Sequence, residues 1–255
     1  MPTLDSIYNQ TQSEIDRFIA KFDKDVQEVF ERVRRIAIAQ LSQINAENVL
    51  QYEFVWRESL RQAGYYTLVN DLIDTQFDKI YSGVLDAFET GGLATAFTTD
   101  DATKIQLLKD LRRDFFVRLG DDVGLAVKRE LYRYVIADAS LESITAGIEQ
   151  QLVSSDLARY SQTYARTAIK EFQQEVIDLR AADIEDGVWV YVGVNDGRTR
   201  RFCRNILKQN KCLSDKEKSR LENDPDREYN CRHRFYKMSK EEAMRSGYKC
   251  NAMYN

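Results

Sequence analysis

The chain holds two prolines, Pro2 and Pro225, so between them no imino ring removes a backbone donor or kinks a helix. With 31% charged residues to solvate long helical faces, this predicts a mainly α fold. The strongest period lies at the N-terminus. Ile15, Phe22, Val29 and Ile36 recur every seven residues, and Ile19, Val26 and Val33 follow the first three by four. That spacing draws one apolar stripe on an amphipathic helix of about 40 residues. A lone helix cannot bury such a stripe; packing against the rest of the chain is the expected use, and self-association through the N-terminal helices the other.

Aromatic residues follow (Tyr52, Phe54, Trp56, Tyr65, Tyr66), read as core rather than as a binding platform, and then one helical pattern from Leu68 to Phe88 that Gly91 and Gly92 close. From Asp101 to Arg180 the helical period continues, expected in shorter pieces. One face runs from Ile105 to Gly120, the next from Val123 to Val135 and a third from Ile144 to Leu152. Asp156 is the N-cap candidate for a last helix.

The period changes after Gly187. Val188 to Val194 is β-branched and aromatic, runs into the turn Asn195-Asp196-Gly197, and predicts a strand, with Arg232 to Lys237 as its partner. Between them a short helix is expected over Arg198 to Lys211. Ser214 with Glu217, and Ser239 with Glu242, have the spacing of capping boxes. The expected architecture is an elongated helical body with a small C-terminal α+β module: 1–95 helical, 96–182 helical, and 183–255 rich in Cys and Arg.

Charge separates along the same line. Asp196 to Cys250 carries 16 Lys/Arg against 9 Asp/Glu, whereas the whole chain carries 37 against 41. An anionic partner is therefore expected at this module. Arg200, Arg201, Arg204, Lys208 and Lys211 are the candidate phosphate contacts, against the alternative of a solvated face diluted by interleaved acids. No run of 18 apolar residues exists, and the N-terminus has acids where a signal peptide needs a basic start. No membrane partner is expected, and assembly in the cytosol is.

All four cysteines, Cys203, Cys212, Cys231 and Cys250, lie near the C-terminus with His233, the only histidine. Cys203, Cys212, Cys231 and His233 have the ligand types of tetrahedral zinc, without the tight Cys-x2-Cys knuckles of most structural sites. Two alternatives stand beside structural zinc. Cys203 and Cys231 are buried small apolar groups, with Cys250 incidental, or those two join in a disulfide, a bond that a cytosolic protein seldom keeps.

Three elements taken together resemble the phage Mu F-like minor head proteins. They are Tyr164-Ala165-Arg166-Thr167-Ala168, then the turn Asp196-x-Arg198-Thr199-Arg200-x-x-Cys203, then Asn230-Cys231-Arg232-His233. The resemblance spans about residues 100 to 238. It departs from the family in the charged segment from Asn205 to Tyr229, and does not reach the first 95 residues. What it implies is a virion protein of a tailed-phage head, assembled in the host cytoplasm. Such a protein would contact portal or major capsid protein and packaged double-stranded DNA, and act in head morphogenesis, packaging or ejection. In that reading Arg166, Thr167, Asp196, Arg198, Thr199, Cys203, Asn230, Cys231, Arg232 and His233 stitch a small domain and catalyse nothing. No Gly-rich phosphate loop or Gly-x-Ser-x-Gly argues otherwise. The alternative is a zinc-stabilised nucleic-acid-binding protein.

Overall fold

The computed structural model describes residues 4–41, 49–93, 98–137, 139–182, 184, 186–227 and 231–250. As the sequence predicts, the fold is mainly α with one two-stranded antiparallel sheet near the C-terminus. The chain forms two compact units. One comprises Met1–Arg17, Gln76–Leu108 and Arg166–Asn255, the other Phe18–Thr75 and Lys109–Ala165.

Helix α1 (Leu4–Leu41) is the predicted long amphipathic helix. Its stripe is used inside the chain: Ile19, Phe22, Val26, Val29 and Val33 are all buried, and the ring of Phe22 meets Phe116 edge-on at 5.7 Å. In the same unit, α2 (Tyr52–Ala63) buries Tyr52 and Trp56, while Phe54 stands 76% exposed. The pattern from Leu68 to Phe88 is not one helix. Helix α3 (Tyr65–Asp71) passes through a π-helical turn at Leu72–Gln76 before α4 (Phe77–Thr90). Leu72 and Ile73 within the wider turn, and Phe77 just after it, are all buried.

The first two of the expected shorter pieces after Asp101 are instead one 38-residue helix, α5 (Thr99–Ile136). Gly120 and Gly124 are sites of close approach and not breaks. A β-carbon on Gly120 would sit 2.8 Å from the Tyr65 ring, and one on Gly124 would sit 2.2 Å from Trp56 Nε1. That nitrogen donates to the Gly120 carbonyl at 3.1 Å, so two glycines one turn apart form the seat of the indole. Gly124→Ala is expected to lower stability by about 1–3 kcal/mol through overpacking and to shift Trp56 fluorescence. Denaturant titration followed by emission measures both.

Helix α6 (Leu141–Ser154) leads to α7 (Asp156–Ala182). The cap of α7 is Ser155, whose Oγ accepts from Ala158 N at 3.2 Å, so Asp156 is the first helical residue and not the N-cap. In the other unit, Phe77 of α4 stacks on Phe172 of α7, centroids 4.3 Å apart.

Strand β1 (Val188–Val192) pairs antiparallel with β2 (Arg234–Met238), Val190 opposite Tyr236, and its other edge bridges Leu213 through Trp189. Both strands are buried throughout. Between them lie α8 (Arg201–Gln209) and α9 (Asp215–Glu222), and α10 (Lys240–Arg245) follows β2. Ser214 and Glu217 form the predicted reciprocal capping box, and Ser239 caps α10 through Glu242 N. Lys237, though buried, donates to the Ile184 carbonyl at 2.6 Å, just past the C-terminus of α7, where a cation is favoured by the helix dipole.

Candidate metal centre

The turn after β1 sets the site. Asp196 Oδ1 accepts from Arg198 N at 2.9 Å, and Thr199 Oγ1 accepts from Asp196 N at 2.8 Å while donating to the Val194 carbonyl at 2.7 Å. These bonds close an Asx turn that starts α8. The carboxylate that fixes the corner then reaches across to β2. Arg232 holds it with both guanidinium nitrogens, at 3.0 and 2.6 Å, the fork geometry in which Arg binds carboxylates most strongly. With Arg232 donating first among its partners, the Asp196 carboxyl is held well below the usual carboxylate range. Asp196 therefore ties the corner to Arg232, and Arg198 lies at 3.9 Å as a looser second cation.

Cys203 stands in the first turn of α8, and Cys231 and His233 precede β2. The last two flank a bend at Arg232. All three are at most 5% exposed, and their ligand atoms lie within 4.8 Å of one another. The two sulfurs are 3.3 Å apart, and His233 Nδ1 is 3.4 Å from Cys231 Sγ. Tetrahedral zinc with Zn–S bonds of about 2.3 Å spans about 3.8 Å between sulfurs, so small outward shifts would seat the ion.

His233 Nε2 is 3.0 Å from the Val194 carbonyl, which can only accept, so that nitrogen carries a proton. In the neutral ring the lone pair is then on Nδ1, facing the sulfurs. A backbone carbonyl fixing the tautomer from behind is the usual second shell of a metal-binding imidazole. Gly193 makes the approach possible: a β-carbon there would lie 2.2 Å from His233 Cδ2. Tyr191 stacks on the imidazole, centroids 5.5 Å apart, and its hydroxyl lies 3.3 Å from Cys203 Sγ and 3.5 Å from Cys231 Sγ. Burial and then the nearby sulfurs push the Tyr191 phenol far up, so it stays a proton donor.

Their surroundings push the two thiols in opposite directions. The Cys203 thiol donates to Cys231, which lowers Cys231 and raises Cys203, and the Tyr191 hydroxyl adds to the lowering of Cys231. Cys231 is thus the more acidic of the two, and the thiolate is the form in which cysteine binds metal. Two sulfurs and an imidazole in a buried, donor-lined pocket fit zinc, and they supply three protein ligands.

Cys212 does not belong to this group, which corrects the four-residue set read from the sequence. It is joined by a disulfide to Cys250, which is consequently not incidental. The physical reason is strand-like pairing at the end of the module. Lys211 bridges Lys249, and Cys212 N donates to the Lys249 carbonyl at 3.1 Å, which sets the two cysteines side by side. Cys203 and Cys231 are not joined to each other.

Comparison with known protein families, with curated proteins and with solved structures finds no match. What the site can do is therefore read from its own groups.

Beside the cluster opens a cleft of about 530 Å³ lined by Asp16, Arg166, Arg198, Arg200, Cys203, Cys231, Arg232 and His233. Arg166 reaches the cleft from α7, and its acid is Asp16 of α1, at 3.5 Å. Tyr8, one helical face earlier, donates its hydroxyl to the Arg232 carbonyl and packs edge-on against Tyr236. The N-terminal turns of α1 are thus part of the site, a role that no local pattern in Leu4–Arg17 signals.

Thr167 is half-buried on α7, and Asn230 lies outside the described residues. The basic series divides by environment. Arg200 lines the cleft, Arg204 donates to the Thr199 carbonyl at 2.8 Å, Lys211 pairs with Glu217 at 3.1 Å, and Arg201 and Lys208 are exposed. No helix of the described residues is long and apolar enough to cross a membrane.

Proposed function

We propose that this chain is a minor structural component of a tailed-phage head, at the portal vertex or capsid interior, and that zinc on Cys203, Cys231 and His233 staples its C-terminal module. The observation that carries the reading is convergence. The residues through which the sequence resembles phage Mu F-like minor head proteins come from separate stretches: Arg166 from α7, Asp196 and Cys203 from the β1–α8 corner, and Cys231-Arg232-His233 from the lead into β2. Arg166, Cys203, Cys231, Arg232 and His233 line one cleft, and Asp196 is tied to it through Arg232. Residues that join three elements of a small domain have a physical reason to occur together.

The role is structural. Zinc would cross-link α8 to β2 in a module whose sheet has two strands, and such a site contributes folding free energy directly. The remainder of the site orients these ligands. Val194 holds the His233 ring, Tyr191 donates toward the sulfurs, and the Asp196–Arg232 pair fixes the distance between corner and strand.

Mass spectrometry and electron microscopy of purified particles test the reading. A few copies per head, with one zinc per chain in the isolated protein, are expected. Complete absence from the particle would overturn the virion role. A second reading, a zinc-stabilised nucleic-acid-binding protein acting in the cell, draws on the arginines of the cleft, and duplex binding without incorporation into particles would favour it.

A further inference from the structure

The cleft beside the cluster carries an excess of positive charge that the stapling role does not use. Among the described residues, four arginines line it against a single carboxylate, Asp16. Arg232 is committed to Asp196 through both nitrogens, and so serves as a fixed positive wall. Arg166 is held differently. Its one ion pair, with Asp16, is long at 3.5 Å, and its buried Nε has no hydrogen-bond partner among the described residues. A buried guanidinium donor left without an acceptor is a costly arrangement unless something else accepts from it. Arg198, 82% exposed, stands at the mouth.

Helix α8 adds to the field. Its N-cap is Arg200, which provides no side-chain acceptor to the first turn, so the positive end of the helix dipole opens without a local cap beside two cleft residues, Arg200 and Cys203. The cleft volume is in the range of pockets that hold a small ligand. Planar guanidiniums present paired N–H groups that match phosphate oxygens.

We propose that this cleft binds a phosphate group, with Arg166, Arg198 and Arg200 as its donors and Asp16 as the carboxylate it displaces from Arg166. The phosphate comes from a nucleic-acid backbone or from a free phosphate compound. Only the choice of source rests on the virion reading, and the site itself does not require zinc.

The test uses the full chain. Inorganic phosphate is titrated by calorimetry and a short labelled DNA duplex by anisotropy at several salt concentrations, for wild type and for Arg166→Gln, Arg198→Gln, Asp16→Asn and Arg245→Gln. Loss of a charge-assisted contact is expected to weaken binding about tenfold in Arg166→Gln, and to reduce the salt slope for the duplex by about one. Asp16→Asn is expected to bind several-fold more tightly, because the competing acid is gone; a merely structural role for the pair would move affinity the other way. Arg245→Gln, outside the cleft, is the control and is expected to bind as wild type. If Arg166→Gln does not fold, the exposed Arg198 and the Asp16 variant carry the comparison.

Binding of duplex and not of inorganic phosphate assigns the source to nucleic acid, and binding of inorganic phosphate alone assigns it to a free compound. Binding of neither, or binding that none of the cleft variants changes, overturns the proposal. Zinc analysis of the same samples separates the two ideas: a zinc-loaded protein that ignores phosphate leaves the staple standing, and a zinc-free one that binds phosphate leaves the cleft standing.

Discussion

Replacing Cys231 by serine is expected to abolish zinc uptake and the stability that comes with it. Any ligand that binds only the folded chain stabilises it by an amount set by its concentration relative to its dissociation constant, about 4 kcal/mol at a thousandfold excess. Wild type should therefore gain about that much on zinc addition and lose it to a chelator, while Cys231→Ser responds to neither. His233→Ala should behave the same way, because it removes the one nitrogen ligand and the ring that Val194 orients. Cys212→Ser separates metal from disulfide. It breaks the bond to Cys250 but touches none of the three ligands, so its zinc response should be intact.

The pH dependence has a definite sign. Zinc takes both sulfurs as thiolates. Cys203 holds its proton more tightly than a free thiol, chiefly because it donates that proton to Cys231, so uptake must release it and should weaken as pH falls. Elemental analysis with chelator-dependent thermal melts decides the matter. One zinc per chain retained by Cys231→Ser would exclude the assigned ligands.

Which parts of this arrangement the sequence disclosed follows from the range of the forces involved. The stripe of α1, strand β1 and the caps at Ser214 and Ser239 are local, written by period and by side chains three or four residues apart. Cys203, Cys231 and His233 were legible as ligand types because few residue types bind metal, but the same reading also took in Cys212. Features that depend on distant elements were not. Asp16 meets Arg166 across the whole helical region, and Cys212 meets Cys250 only because the chain returns to pair Lys249 with Lys211. Gly120 and Gly124 look like punctuation in one dimension. Whether a glycine ends a helix or admits a neighbour depends on what packs there, and here it is Tyr65 and Trp56.

The second large effect lies at a pair of helix ends that no sequence pattern joined. Asp101, in the first turn of α5, accepts from Thr98 N at 3.0 Å and from the Thr98 hydroxyl at 2.8 Å, while Thr98 Oγ1 accepts from Asp101 N. The same carboxylate oxygen then takes Arg180 Nη1, in the last turn of α7, at 2.9 Å. Each charge sits at the helix end whose dipole favours it. Arg180 is 2% exposed and Asp101 5%.

Asp101→Asn preserves shape and can still accept from Thr98, but it removes the charge that Asp101 sets against a buried guanidinium. Breaking a buried pair in this way costs about 3 kcal/mol or more. Removing both charges, as Asp101→Asn with Arg180→Met, should recover much of that loss, since the pair itself adds little net stability over apolar packing. The Thr98 N–H, then its hydroxyl, then Arg180 hold the Asp101 carboxyl below its ordinary value. Its contribution is therefore complete above the unfolded-chain value of about 3.9 and is lost as pH falls through the lower folded value. The stability gap between wild type and Asp101→Asn should accordingly be flat from neutral pH down to about 5 and close below about 4. Urea unfolding of the four proteins across that range measures it. A gap that is small at neutral pH, or that does not close in acid, would show that Arg180 is stabilised by groups other than Asp101.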